Sequence, residues 1–460
     1  MNNEQETIKS RGGVVVRMAP SPTGNLHIGT ARAALFNYLF AKKNKGKFIL
    51  RIEDTDKERS TKEFEEDIMN GFNWLGLSHD EFYRQSERTE SYVSHLKKMI
   101  ESGSAYISKE TPTEVGERSE VIRFKNPNKK ITFNDLIRGD VAFDTTELGD
   151  FVIARSIEEP LYHLAVVVDD FEMGVTHVLR GEDHISNTPR QILIQEGISA
   201  PRPIYAHLPL ILGKKREKLS KRKHGKAVWV DTYRQEGFLP QALLNYFALL
   251  GWNPGNDREI FTIQELIEVF SLEKVQKSGA VFDEEKLKWV NSEHRKIQEK
   301  TDNENFEQST IEAIGKIYKF DNDYQKSSVL EALKISGSIY TTFTEQVNFI
   351  QQALDTSPIN SLRSLLWKEE KDFSNTIRHI QWVIDNFEKI PEEKWCYEEI
   401  RNAIWPYANK EGRGAVLWPI RYALSGKDKS PDPFILATLL KKNTTINKLR
   451  SVLDEIKNEK

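Results

Sequence analysis

Two segments far apart in the chain are built to meet a phosphate. Pro20-Ser21-Pro22-Thr23-Gly24-Asn25-Leu26-His27-Ile28-Gly29-Thr30 follows the apolar run Val14-Val15-Val16 and leads into a helical pattern. A strand that feeds a loop opening a helix leaves free backbone N–H groups, and these attract anions. Gly24 and Gly29 remove side chains where a nucleotide lies against backbone, and His27 can donate to a phosphate oxygen. The plain structural alternative is a proline turn before a helix with a surface histidine. Lys218-Leu219-Ser220-Lys221-Arg222 lies in the stretch Lys214 to Lys226, where Glu217 is the single acid among many bases. Such a loop repels itself and orders best around an anion. Lys218 and Lys221 can converge on one triphosphate, and Ser220 adds a hydroxyl. Alone, the stretch reads equally as a solvated basic loop or a nonspecific RNA patch.

Other polar groups have paired readings. Glu53, Asp54 and Asp56 make either a magnesium cluster or a capped turn. Asp169-Asp170 follows the apolar run Val166 to Val168, where an open α/β sheet places ligands; both are also turn formers. Arg180-Gly181-Glu182-Asp183-His184 is a site loop or a polar turn. Trp367, Trp382, Trp395, Trp405 and Trp418 read as core rather than as base-stacking platforms.

The elements that must position these groups alternate. Val14 to Val16 reads as a buried strand. Ala31, Ala34, Leu35, Tyr38 and Leu39 recur at helical spacing behind Thr30 as cap. Lys47 to Ile52 is the next strand, and helices follow from about Lys62 to Leu75 and from Thr89 to Glu101. This order predicts a parallel α/β unit. Residues 103–160 alternate in short runs and read as a strand-rich insertion. Strands resume at Tyr162 to Val168, Thr176 to Leu179 and Leu208 to Leu212. Beyond Gly237 the pattern is helical, with a charged stretch from about Gln298 to Tyr324 expected as a linker plus helix.

Composition narrows the class. The chain has 460 residues, 38% hydrophobic and 29% charged, with a net charge of -3. That suits a soluble protein of about two to four domains. No apolar run approaches the ~18 residues of a membrane span, and Met1 to Ser10 lacks an apolar signal core, so no membrane partner and a cytoplasmic location are expected. Nucleic-acid binding has to come from local patches. Cys396 is the only cysteine, which excludes an intrachain disulfide and a multi-thiolate zinc site.

Taken together, the segments resemble the bacterial-type glutamyl-tRNA synthetases, a class I aminoacyl-tRNA synthetase family. The resemblance rests on Arg17 to Thr30, Arg51-Ile52-Glu53-Asp54-Thr55-Asp56, Tyr83-Arg84-Gln85-Ser86-Glu87-Arg88, Tyr162 to Asp170, Arg180 to Pro189, Lys218 to Arg222 and Gly237-Phe238-Leu239-Pro240. It is collinear over roughly residues 13–295 and fainter beyond, where Leu417-Trp418-Pro419-Ile420-Arg421 is similar to the anticodon-domain pattern.

The resemblance implies a Rossmann-like α/β catalytic domain with a small inserted module and an all-α anticodon-binding region. Its parts would be 1–102 and 161–236 (the two catalytic halves), 103–160 (an acceptor-binding insertion), 237–304 (a stem-contact region) and 305–460 (the anticodon domain). It implies that Arg17, Ala19, Ser21, Glu53, Tyr162 and Arg180 bind L-glutamate, with Arg17 on the side-chain carboxylate, Glu53 on the ammonium and Arg180 on a carboxylate. It implies ATP binding by Pro20, Gly24, His27, Gly29, Thr30, Lys218, Leu219, Ser220, Lys221 and Arg222, with His27, Lys218 and Lys221 catalytic. Mg²⁺ would travel with ATP, and relatives need bound tRNA for the first step. The partner would be tRNA-Glu, or tRNA-Gln as well, and the protein a monomer. Many relatives hold a cysteine-ligated zinc in the insertion, but Ile107 to Val121 is short and has no cysteine, so no zinc is expected. A glutaminyl enzyme would begin its first motif Pro-Glu-Pro-Asn, and the short glutamyl enzyme that modifies tRNA-Asp lacks an anticodon domain. A non-catalytic RNA-binding descendant is the alternative of another class; intact Arg17, His27, Glu53 and Lys221 argue against it.

Overall fold

The computed structural model describes residues 13–110, 119–220, 223, 225–355, 357–359, 361–368 and 370–459. The chain divides into two compact units, residues 1–235 with 239–290, and residues 236–238 with 291–460.

The first unit is built on parallel strands. β1 (Val15–Met18), β2 (Lys47–Ile52) and β3 (Glu81–Arg84) form one parallel sheet in the order β1-β2-β3. The connections are helices α1 (Ile28–Lys43) and α2 (Lys62–Leu75), and α3 (Thr89–Glu101) follows β3. Thr61 caps α2 through the Phe64 amide, and Gly76 ends it in the left-handed conformation, the residue types those positions favour.

The segment expected as a single insertion has two fates. β4 (Ala105–Lys109), β5 (Glu120–Phe124), β8 (Phe151–Ser156) and β9 (Glu159–Pro160) form their own antiparallel sheet. The hairpin β6 (Lys130–Asp135) and β7 (Gly139–Asp144) instead joins the second half of the main sheet, ordered β10-β11-β6-β7. There β10 (His177–Gly181) pairs parallel with β11 (Ile204–Leu208), and β11 meets β6 at Tyr205 opposite Asp135. Thr176 joins the halves: its amide donates to Val15 O (2.9 Å) and its Oγ1 accepts from Val15 N (2.9 Å).

Three expectations are corrected. Tyr162 to Val168 is not a strand but the start of α4 (Tyr162–Glu172). Leu164 to Val168 are buried without exception, so the run carries no periodicity to separate helix from strand, and packing overrides the β-preference of its valines. Asp169 and Asp170 therefore sit on a buried helix rather than beyond a strand end. Leu208 to Leu212 is two pieces: β11 ends at Leu208, and β12 (Ile211–Leu212) pairs with β13 (Ala280–Val281) in a separate sheet. Thr30 is not the cap of α1; His27 is, its Nδ1 accepting from the Gly29 amide at 2.9 Å.

The second unit is helical. Its core draws Phe306, Leu333, Ile380, Leu424, Leu436 and Leu449 into one cluster, each fully buried aliphatic or aromatic side chain stabilising it by about 1.5–3 kcal/mol. The stretch Gln298 to Tyr324, expected as linker plus helix, is largely helical, through Glu284–Thr301, Asn303–Gly315 and the start of Asp323–Ser336. Trp395 is core, its indole donating to Ala437 O at 3.0 Å. Trp382 and Trp405 are half-buried; Trp382 stacks on Tyr407 at 3.8 Å, and Arg401 and Arg413 cover Trp405.

Candidate active site

β1 leads outward to β2 and β3, and β10 leads outward the other way to β11. Their junction is a topological switch point, where open α/β sheets bind ligands at the carboxyl ends of the strands. A cavity of about 240 Å³ lies there. Arg17, Met18 and Ala19 enter it from the end of β1, and Glu53 from just beyond β2. Arg180 and Gly181 come from the end of β10, and Tyr162 from the start of α4. The opposite wall holds His27, Gly29, Thr30 and Arg32 from the start of α1, with Asp183, Lys218 and Leu219.

The floor is a web of buried ions. Arg51 is fully buried and donates to Asp170 Oδ1 at 2.8 Å and to Glu53 Oε1 at 3.0 Å. Asp170 also takes Nε of Arg17 at 3.1 Å. The Nη groups of Arg17 make no hydrogen bond among the described residues, so its fork stays available on the cavity wall. Against the upward push of burial, Arg17 and Arg51 hold the Asp170 carboxyl below the ordinary range. For Glu53, burial outweighs Arg51 and Arg17 and pushes its carboxyl up. Glu53 is therefore an under-compensated anion, and an incoming ammonium would stabilise it.

Arg180 is the complementary case. It is buried, and its hydrogen bonds go to neutral groups: Gln191 Oε1 at 2.7 Å, Thr188 Oγ1 at 2.8 Å and His207 Nε2 at 3.2 Å. Burial pulls its pKa below the ordinary arginine value, the mark of a cation without a paired carboxylate. Burial, then Arg180, pull His184 down to about 4, so it is neutral at neutral pH. Its Nδ1 lies 3.2 Å from the Asn187 amide and 3.4 Å from the Tyr162 hydroxyl. Burial, with Glu53 nearby, pushes the Tyr162 phenol up, so it remains a donor.

The wall near α1 suits a polyphosphate. Because Nδ1 of His27 accepts from Gly29, the proton of a neutral ring sits on Nε2. A Cβ on Gly29 would lie 3.1 Å from that Nδ1, so any larger residue there would press on the ring. Lys218 Nζ bonds Asp183 Oδ2 at 2.8 Å while both stay partly exposed. Leu219 is held by its amide on Ile211 O at 3.0 Å.

Of the expected site residues, Arg17, Ala19, His27, Gly29, Thr30, Glu53, Tyr162, Arg180, Lys218 and Leu219 share this one cavity. Pro20, Ser21, Gly24 and Ser220 lie outside its lining; Ser21 is exposed, and Pro20 O accepts the Glu53 amide at 3.0 Å. Lys221 and Arg222 lie outside the described residues. The acidic trio divides: Asp54 accepts from Ser86 N and Oγ, Asp56 from Arg59, and Glu53 from Arg51. Among the described residues no group of three or more His, Cys, Asp or Glu is placed to hold a metal.

Residues 13–120 and 113–289 match the model of the catalytic domain of class I tRNA synthetases (E and Q), and residues 281–453 match an anticodon binding domain. A glutamate–tRNA ligase of Aquifex aeolicus is 40% identical, over 96% of this chain and 99% of its own. One from Francisella tularensis subsp. tularensis is 36% identical over the same shares. A crystal structure of a glutamate tRNA ligase from Elizabethkingia meningosepticum, in complex with its amino acid, superposes with a TM-score of 0.83 at 31% identity, covering 96% of this chain and 99% of that one. The chain belongs to the glutamate–tRNA ligase family of class I tRNA synthetases.

In this synthetase the sequence pointed to residues that line the cavity but not to the groups that hold them in place. Arg32 is buried on the wall, donating to Leu250 O at 2.8 Å and to Pro209 O, and burial pulls it down to about 10. The available signal was a lone cation in the run Ala31 to Phe36. Arg51 carried a comparable signal, standing between Leu50 and Ile52 in a strand. His207 and Asp135 carried none, because nothing local marks a residue that acts on a neighbour distant in sequence.

Proposed function

We propose that this protein activates L-glutamate with ATP to glutamyl-adenylate and transfers the glutamyl group to the 3′ end of tRNA-Glu. The observation that carries the reading is one cavity holding Arg17, whose Nη groups are unbonded among the described residues, Arg180, whose partners are all neutral, and an under-compensated carboxylate, Glu53. An amino acid with a second carboxylate has the complementary set: two anions and one ammonium. A paired carboxylate satisfies a buried guanidinium, and an amide of the same shape does not.

The nucleophile is the substrate's own α-carboxylate. Its oxygen attacks the α-phosphorus of ATP, the bond to the bridging oxygen breaks, and pyrophosphate leaves. A terminal ribose hydroxyl of the tRNA then attacks the activated carbonyl, and AMP leaves. The protein contributes position and charge. Arg17, Glu53, Tyr162 and Arg180 fix glutamate; His27, Lys218 and Lys221 supply donors and charge to the phosphates, with Pro20, Gly24, Gly29, Thr30, Leu219, Ser220 and Arg222 contributing to nucleotide binding. Mg²⁺ enters with ATP, held by phosphate oxygens and water. No zinc is required, and elemental analysis of the purified protein is expected to find well under one zinc per chain. The protein acts as a cytoplasmic monomer, its insertion on the acceptor end and its helical unit on the anticodon.

ATP–pyrophosphate exchange that depends on glutamate and is promoted by tRNA-Glu tests the reading; absence of exchange under those conditions refutes it. Charging tRNA-Glu and tRNA-Gln side by side decides whether the second tRNA is also a substrate.

A further inference from the structure

Arg180 meets three neutral partners, and one of them is itself held by an ion. His207, on β11, is fully buried. Its Nδ1 lies 2.6 Å from Oδ2 of Asp135, which is also fully buried, at the end of β6. Asp135 accepts as well from the backbone amides of Ile137 (3.0 Å), Arg138 (2.9 Å) and His207 (3.1 Å to Oδ2). Against the upward push of burial, His207 and those amides hold the Asp135 carboxyl below its ordinary range. An ionised carboxylate only accepts, so the imidazole proton is on Nδ1 and the lone pair is on Nε2. That lone pair faces Nε of Arg180 at 3.2 Å. Thr188 Oγ1 lies 3.2 Å from the same Nε2 and accepts from Nη2 of Arg180.

We propose that Asp135 and His207 are a positioning relay that aims Arg180 at the substrate carboxylate while leaving its charge uncancelled. A carboxylate directly on Arg180 would fix its orientation equally well, but would neutralise the charge the substrate needs. A neutral imidazole acceptor satisfies Nε–H without that cost. Asp135 selects the tautomer, and its own charge is occupied by backbone amides and the ring. The relay begins in the inserted segment, since β6 belongs to residues 103–160 and reaches β11 through the Tyr205–Asp135 pair. It is distinct from the Arg51 web, which orients Arg17 and Glu53.

This inference rests on Arg180 reading a glutamate carboxylate, and the test separates the two. Asp135→Asn, His207→Gln and Arg180→Gln are made in the full-length protein and assayed by pyrophosphate exchange with tRNA-Glu present. In Asp135→Asn the new side-chain amide would donate to Nδ1, move the ring proton to Nε2 and set two donors against each other. The expected result for Asp135→Asn is a glutamate KM raised about tenfold or more, the scale of a misaligned binding group, with the ATP KM unchanged. In His207→Gln the new carbonyl oxygen replaces Nε2 as acceptor, so its glutamate KM is expected to stay nearer the parent value. ¹⁵N shifts of the imidazoles, with His207 assigned by its loss in His207→Gln, are expected to show Nδ1 protonated in the parent. A parent His207 protonated on Nε2 overturns the relay, whether or not Asp135→Asn folds. So does an unchanged glutamate KM in Asp135→Asn where Arg180→Gln raises it. An unchanged glutamate KM in Arg180→Gln overturns the substrate reading itself, and the relay with it.

Discussion

Arg17→Gln separates substrate reading from folding. Asp170 holds Arg17 by Nε alone, and the two Nη groups are left for the ligand. Hydrogen bonds to a charged group contribute about 1.5–3 kcal/mol each. Loss of two therefore removes about 3–6 kcal/mol, on the order of 10² to 10⁴ in kcat/KM for glutamate. A glutamine amide can still donate once, which places the expected loss near the lower end. The fold should survive, because Asp170 keeps its 2.8 Å bond to Arg51 and no buried charge is orphaned. Arg51→Met is the contrast: it strips Asp170 and Glu53 together of a fully buried partner, and breaking such a pair costs about 3–5 kcal/mol of stability. Exchange assays at varied glutamate and varied ATP, with thermal melting of both variants, read the two effects separately. Arg17→Gln should melt near the parent temperature, keep its ATP KM and lose glutamate use. Unchanged kcat/KM for glutamate would refute the role of Arg17; an unchanged ATP KM with a collapsed melting temperature would show the residue to be structural.

Gly29→Ala should raise the ATP KM on the order of tenfold without lowering the melting temperature, because the new Cβ presses on His27 Nδ1 in an ordinary helical turn; an unaltered ATP KM would remove His27's placement from the argument. Lys221→Ala should slow activation on the order of 10²-fold, the scale for one preorganised donor, with little change in glutamate KM, and near-normal exchange would sink that role. His163 is half-buried, and desolvation with Arg190 and Arg180 nearby pulls it down to about 4. A histidine held neutral in the folded state binds fewer protons than the unfolded chain between about pH 6.5 and 4, so its stability contribution is complete above about 6.5 and lost as pH falls. The loss is about 3 kcal/mol at pH 4. His163→Asn should flatten the unfolding free energy against pH across that window, and an identical slope in both proteins would contradict the assignment.

Local pattern carried much of the fold. The helix Lys62–Leu75 was legible because its amphipathic face, its Thr61 cap and its Gly76 stop all agree. The strand Lys47–Ile52 was legible from a compact apolar run before an acidic turn. Tyr162 to Val168 was misread because Leu164 to Val168 are buried on every side and leave no polar face to mark a period. The site divides in the same way. Residues in short motifs that line the cavity, such as His27 and Lys218, could be named from spacing and resemblance. The groups that orient them could not, since Arg17 meets Asp170 across 153 positions and His207 meets Asp135 across 72. Such pairs exist only after the strands have chosen their neighbours.

The divided insertion sets the terms on which this catalytic unit can be rebuilt. The β4-β5-β8-β9 sheet shares no strand with the main sheet, so its connections can be shortened, or an equivalent sheet from a relative grafted in. The β6–β7 hairpin cannot travel with it. Removing the hairpin would strip the edge of β11, orphan the His207 amide and deprive His207 O and Lys277 O of their donor, Arg138 of the hairpin turn. A chimera should therefore be cut at the ends of the β4–β5 and β8–β9 pairs, keeping residues 130–144 with the host.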